Sequence, residues 1–160
     1  MFQRLAARPE YDEGVDRRTL PLLLASSRSA GADESQPLDR LRMQKGVFLL
    51  EQRGPAEWRR VYRYQPYNWG PYSSDLADDV DSLIFGGLLR TESGASRYPA
   101  YRTTRSGEDW LDENMGVFPK QYRKFVKETR RFVTTRSFGK LLKDVYAEYP
   151  EFATRSQFVG

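Results

Sequence analysis

The chain has 160 residues, with 26 Lys or Arg against 22 Asp or Glu and a net charge of +4 at neutral pH. It contains no cysteine and no histidine, which removes disulfides, thiolate chemistry, ordinary zinc sites and the usual general base near pH 7. Only carboxylate chemistry with oxygen-bound magnesium or calcium would survive, so the expectation is a non-catalytic protein with no catalytic, cofactor-binding or metal-binding residue.

The length fits one domain with a small C-terminal addition, and 39% apolar residues suffice for a core. No apolar run approaches the ~20 residues of a membrane helix. The arginine-containing start, residues 1–9, lacks the apolar stretch of a secretory signal. A cytoplasmic protein without a membrane partner is expected.

In chain order, residues 1–16 read as an N-terminal arm. Residues 18–27 (RTLPLLLASS) predict a short apolar helix, with Pro21 tolerated in its first turn. The Ser-, Gly- and Asp-rich stretch 29–37 predicts a loop. Residues 38–52 (LDRLRMQKGVFLLEQ) predict a central helix ended by Gly54-Pro55. Leu38, Leu41, Phe48 and Leu49 share one face, Met43, Val47 and Leu50 fill a second, and Lys45 projects from the middle of the first stripe. Residues 58–66 (WRRVYRYQP) alternate like a short strand or extended segment, and Gly70-Pro71 reads as a turn. Ser73 or Ser74 caps a third helix with Leu76, Val80, Leu83 and Ile84 on its core face and Gly86-Gly87 at its end. A strand from Leu88 to Glu92, a turn at 93–96 and a strand in RYPAYRTT predict a hairpin, followed by a helix from Ser106-Gly107 to Asn114.

Three helices, a hairpin and a helix are the order of a winged helix-turn-helix. The expected class is therefore mainly α (α+β): a winged-helix domain over 17–116 with a short β-hairpin wing. A C-terminal helical extension over 117–160 would pack on the same domain, with helices at 118–133 and 137–149.

Charge is unevenly spread. Between Phe118 and Lys143 nine Lys or Arg stand against the single acid Glu128, a net +8, whereas the remaining 17 basic and 21 acidic residues carry −4. In the 118–133 helix the apolar and basic positions occupy opposite arcs. Such a stripe suits an anionic partner or is simply a solvated face. The candidate nucleic-acid contacts are Arg90, Arg97, Arg102 and Arg105 on and beside the wing, and Lys120, Arg123, Lys124, Lys127, Arg130 and Arg131 on the helix. DNA is the expected partner, contacted at its backbone, because Asp75, Asp78, Asp79 and Asp81 on the third helix would face phosphates unfavourably in a groove. Those acids fit a solvated face better than a metal site.

The aromatic cluster Tyr62, Tyr64, Tyr67, Trp69, Gly70 and Tyr72 is either packing or a contact surface, with Tyr67, Trp69 and Tyr72 the candidate protein-partner residues. Lys45 is a structural charge that either snorkels to water or, if buried, needs a carboxylate or carbonyls. A homodimer through terminal helices is compatible with this class.

LDRLRMQKGVFLL resembles the R-T-K-L-Q-K-x-x-Y-L-L helix of YwgA-like proteins, and YNWGPYSSDLADDVDSLIFGGLL their Y-G-P-Y-S-x-x-L-x-x-D segment. The end, LLKDVYAEYPEFATRSQF, is similar to their closing L-L-x-x-V-Y-x-x-Y-P-E-Y-x-x-K-S signature. Arg42-Met43 stands where that group has Lys-Leu, and Asn68-Trp69 precedes Gly70. More distantly, the Q-K helix followed by G-P-Y resembles SocA-type (Panacea) antitoxin domains and the C-terminal part of the DarG antitoxin. The resemblance implies a winged-helix-like fold in a bacterial toxin–antitoxin or phage-defence setting. It implies either a nucleic-acid-binding regulator or an antitoxin-like adaptor that recognises a toxin or defence partner.

Overall fold

A computed structural model describes residues 16–94, 97–115 and 119–157; most of the arm, two residues of the 93–96 turn, and Phe118 lie outside them. The protein is a mixed α+β fold, mainly helical, with two small antiparallel hairpins among the described residues.

Helix α1 (Thr19–Ala25) is buried along its whole length. It is followed by a 3-10 turn at Ser27–Ser29, where Ser26 Oγ accepts the Arg28 N–H. Helix α2 (Arg40–Arg53) starts at Asp39, whose carboxylate accepts the Arg42 N–H at 2.9 Å. Its residues 42–51 are all buried, so α2 is the axis of the core, with α1 and α5 packed on it. Gly46 makes the α1 crossing, because a Cβ there would run into Leu24 Cδ2.

Of residues 58–66 only Gln65 and Pro66 become a strand. A 3-10 turn (Ala56–Trp58) sinks Trp58 against Tyr122 and Phe125, and Arg60 takes a positive φ of 62°. The Tyr62 N–H then donates to buried Glu51 rather than to a strand neighbour. The first hairpin comes later: β1 (Gln65–Tyr67) pairs with β2 (Gly70–Tyr72), Tyr67 opposite Gly70. The Gly70-Pro71 turn is thus corrected; Asn68-Trp69 form the turn, and Gly70 begins the returning strand at φ 93°.

Helix α3 (Ser74–Phe85) is capped by Ser73, whose Oγ accepts the Leu76 N–H, and ends at Gly86. Leu76, Val80 and Leu83 face the core. Strands β3 (Leu89–Glu92) and β4 (Ala100–Thr103) form the second hairpin, with Arg90 opposite Arg102. Helix α4 (Arg105–Met115) returns to α1, where Glu108 accepts the Ser26 hydroxyl at 2.7 Å.

Helix α5 (Lys120–Thr134) contributes Val126 and Val133 to the same core as α1 and α2. Helix α6 (Phe138–Glu148), capped by Ser137, leads into a 3-10 turn (Pro150–Ala153). There Tyr149 and Phe152 meet the edges of the buried Phe48 ring, each at 5.0 Å. The chain end also reaches the first hairpin: Gln157 N donates to Asn68 O at 2.8 Å.

Candidate functional site

The cations read from the sequence divide sharply. Arg130 is corrected: it is 2% exposed. Its guanidinium donates to Glu34 at 2.7 and 3.1 Å and to Leu24 O at 2.8 Å, tying α5 to the chain after α1. The helical wheel held a signal for this, since Arg130 lies about 40° from Val126 at 100° per residue, at the edge of the apolar arc. Arg131 remains exposed but is bound to Asp33 at 2.6 Å. Arg136 and Lys140 both hold Asp144, at 2.8 and 3.0 Å. The paired arginines, Arg131 and Arg136, keep the Asp33 and Asp144 carboxyls below the usual range.

On the second hairpin, Arg102 and Arg90 share Glu92, at 2.6 and 3.5 Å, and the Arg102 bond lowers the Glu92 carboxyl. Arg97 and Arg40 both stack on Tyr98, with guanidinium-to-ring distances of 5.7 and 4.7 Å. Arg105 is exposed at the start of α4.

Lys120, Arg123, Lys124 and Lys127 differ from the paired and stacked cations and share the state of Arg105. They are exposed on α5, and no ion pair among the described residues includes them. Their spacing of three and four residues puts them on one face, along about 10 Å of helix at 1.5 Å per residue.

The α3 acids also divide. Asp79 accepts Arg17 at 2.8 Å and the Tyr62 hydroxyl at 2.7 Å, so it is a packing group. Asp75, Asp78 and Asp81 are exposed. Among the described residues no group of three or more carboxylates is arranged to hold a metal ion.

The aromatic cluster splits as well. Tyr62 is buried and Tyr64 partly so, Tyr64 meeting Phe48 edge-on at 5.1 Å. Tyr67 and Trp69 are exposed at 44% and 37%. Tyr67 stacks on Tyr72 at 4.9 Å, and the Trp69 ring stands edge-on to Phe138 of α6 at 6.2 Å. Tyr67, Trp69 and Tyr72 border a groove of about 470 Å³ between α2, the first hairpin, α3 and β4.

Two adjacent α2 side chains build the base of that groove. Gln44 clamps the β2–α3 junction: its Nε2 donates to Ser73 O at 2.9 Å and its Oε1 accepts Ser73 N–H at 2.8 Å. Lys45 is 1% exposed and donates to Pro71 O at 3.4 Å. It does not snorkel, and a backbone carbonyl rather than a carboxylate meets it. Burial pushes its ammonium down to about 7, opposed by the Asp39 charge. Gly70 makes room, since a Cβ there would sit 3.0 Å from Lys45 Cε. Gln44 was not singled out from the sequence, although a glutamine inside a buried helical arc signals a specific backbone partner.

Glu51 was missed too. It is buried, its Oε1 accepts the Tyr62 N–H at 3.1 Å, and its Oε2 has no hydrogen bond. Burial pushes this carboxyl up to about 7. Tyr64, whose hydroxyl is also left without a hydrogen bond, is raised by burial and by the nearby Glu51.

No family model matches the chain, and no curated protein shows significant similarity to it.

Proposed function

We propose that the protein is a non-catalytic, winged-helix-like binding protein that engages the phosphate backbone of DNA through the exposed face of α5. The observation that carries this reading is the set Lys120, Arg123, Lys124 and Lys127: four cations on one helical face, free of acid partners among the described residues. The succession α1, α2, α3, second hairpin, α4, with the first hairpin inserted between α2 and α3, supports the winged-helix assignment. Exposed Asp75, Asp78 and Asp81 on α3 oppose insertion of that helix into a groove, so contact is to phosphates and weakly sequence-specific. The resemblance of the α2, hairpin and C-terminal segments to YwgA-like and SocA-type proteins supports a regulatory role in a bacterial toxin–antitoxin or phage-defence setting.

Fluorescence anisotropy with a duplex oligonucleotide tests the reading. Binding at ~50 mM salt should weaken steeply by ~200 mM, with a log–log slope of about −0.9 per phosphate neutralised. Replacing all four residues by alanine should flatten that slope. No binding at ~50 mM salt, or a slope the quadruple variant leaves unchanged, rejects it.

A second reading, an adaptor for a protein partner, is favoured by the exposed Tyr67 and Trp69 beside Tyr72, because such rings suit interface anchors. In that case a stoichiometric partner from the native host should be lost on Tyr67→Ala with Trp69→Ala and kept by the quadruple α5 variant.

A further inference from the structure

Arg42 and Lys45 lie one turn apart on α2, both buried, and their surroundings differ. Arg42 donates from each of its three nitrogens: to Asp39 at 2.9 Å, to Val133 O at 2.9 Å and to Arg136 O at 3.1 Å. Lys45 has three N–H donors and uses one, in a long bond to Pro71 O. Asp39, the acid that favours its charge, is already bound to Arg42. A methionine of similar length would fill this space without the desolvation cost of an ammonium.

Lys45 is one of the residues lining the groove beside the first hairpin, so a cation that makes one long bond within the protein lies at the buried edge of a space a ligand can enter. The volume of about 470 Å³ suits a small organic molecule. Its walls are aromatic: Tyr67, Trp69 and Tyr72 on the hairpin, and Tyr101 on β4. The hairpin turn is held from behind by Phe138 and by Gln157 on Asn68, so the rings are set before a ligand arrives. The other charged lining groups are Arg40, which is stacked on Tyr98, and Asp81. One buried cation with an acid nearby favours a single negative charge over a dianion such as phosphate.

We propose that this groove binds a small organic monocarboxylate, whose carboxylate accepts from Lys45 and whose aromatic body lies against Tyr67, Trp69 and Tyr72. The site is separate from the α5 face, and the proposal stands whether or not that face binds DNA.

The test is titration of the uniformly ¹⁵N-labelled protein with phenylacetate, indole-3-acetate and N-acetyltryptophan, each beside its neutral primary amide, followed by ¹H–¹⁵N correlation spectra. At least one acid should shift the amides of 44–46, 67–72 and 101 and leave those of 120–127 in place. Its amide should bind at least tenfold more weakly, as should the acid to Lys45→Met. Should Lys45→Met fail to fold, Trp69→Ala and Tyr67→Ala, which remove exposed rings, should each weaken the acid severalfold. Equal binding of acid and amide, undiminished binding to Lys45→Met or to both ring variants, or no localised shifts at millimolar acid overturns the proposal.

Discussion

Two stretches of the basic segment, Lys120 to Lys127 and Arg130 to Lys140, carry four cations each and have opposite fates. From Lys120 to Lys127 the cations face solvent without acid partners among the described residues, whereas from Arg130 to Lys140 each basic side chain holds an acid of the protein itself. Formal charge is set by composition, but available charge is set by which acids the fold brings alongside. Asp33 and Glu34 stand nearly a hundred residues before their arginines, yet the α1–α2 connection lays them along α5.

The largest test of this contrast is Arg130→Met. It leaves Glu34 without its cation, with only the Gly31 N–H among the described residues still donating to it, and removes the Arg130 donor from the Leu24 carbonyl. Chemical denaturation should show a loss of about 3 kcal/mol, the low end for breaking a buried pair, because Glu34 keeps some contact with water.

Glu51 extends the comparison to a buried carboxyl that is in no ion pair among the described residues. Its folded carboxyl titrates near 7 against an ordinary 4.5, so between those values the native protein holds a proton that the unfolded chain releases. Stability therefore falls as pH rises from about 4.5 to 7, and the loss persists above it. Glu51→Gln should remove that decline, gaining roughly 2–3 kcal/mol at pH 8 relative to pH 4. The groups around it, Tyr62, Tyr64, Arg60 and Arg63, are unchanged in the variant. Denaturation midpoints across the pH range read the difference; parallel profiles for both proteins would refute it.

The smallest effect on stability belongs to the free half. Lys124→Ala with Lys127→Ala should stay within about 0.5 kcal/mol of the parent while lowering the salt slope of duplex binding by about 1.8. A destabilisation as large as that of Arg130→Met would dissolve the distinction between the two halves.

Local signals settled much of the secondary structure. Asp39, Ser73 and Ser137 each cap a helix because a short side-chain acceptor can reach an orphan N–H near the start of a helix. The apolar spacing of α2 and the Gly86-Gly87 stop after α3 worked for equally local reasons. The extended reading of 58–66 holds only at Gln65-Pro66 and failed before them because its competitor was nonlocal: Glu51 takes the Tyr62 N–H, and Trp58 is drawn onto α5.

Sequence alone determined the helix positions, the lack of His and Cys chemistry, and the presence of a basic stripe, since each depends on residue identity or on neighbours within a few positions. Tertiary structure decided which cations stay free, that the Asn68-Trp69 turn is braced by the chain end, and that Lys45 is buried beside a groove. Those outcomes depend on contacts between distant segments, and the cost of an unpaired charge is fixed only when packing removes its water.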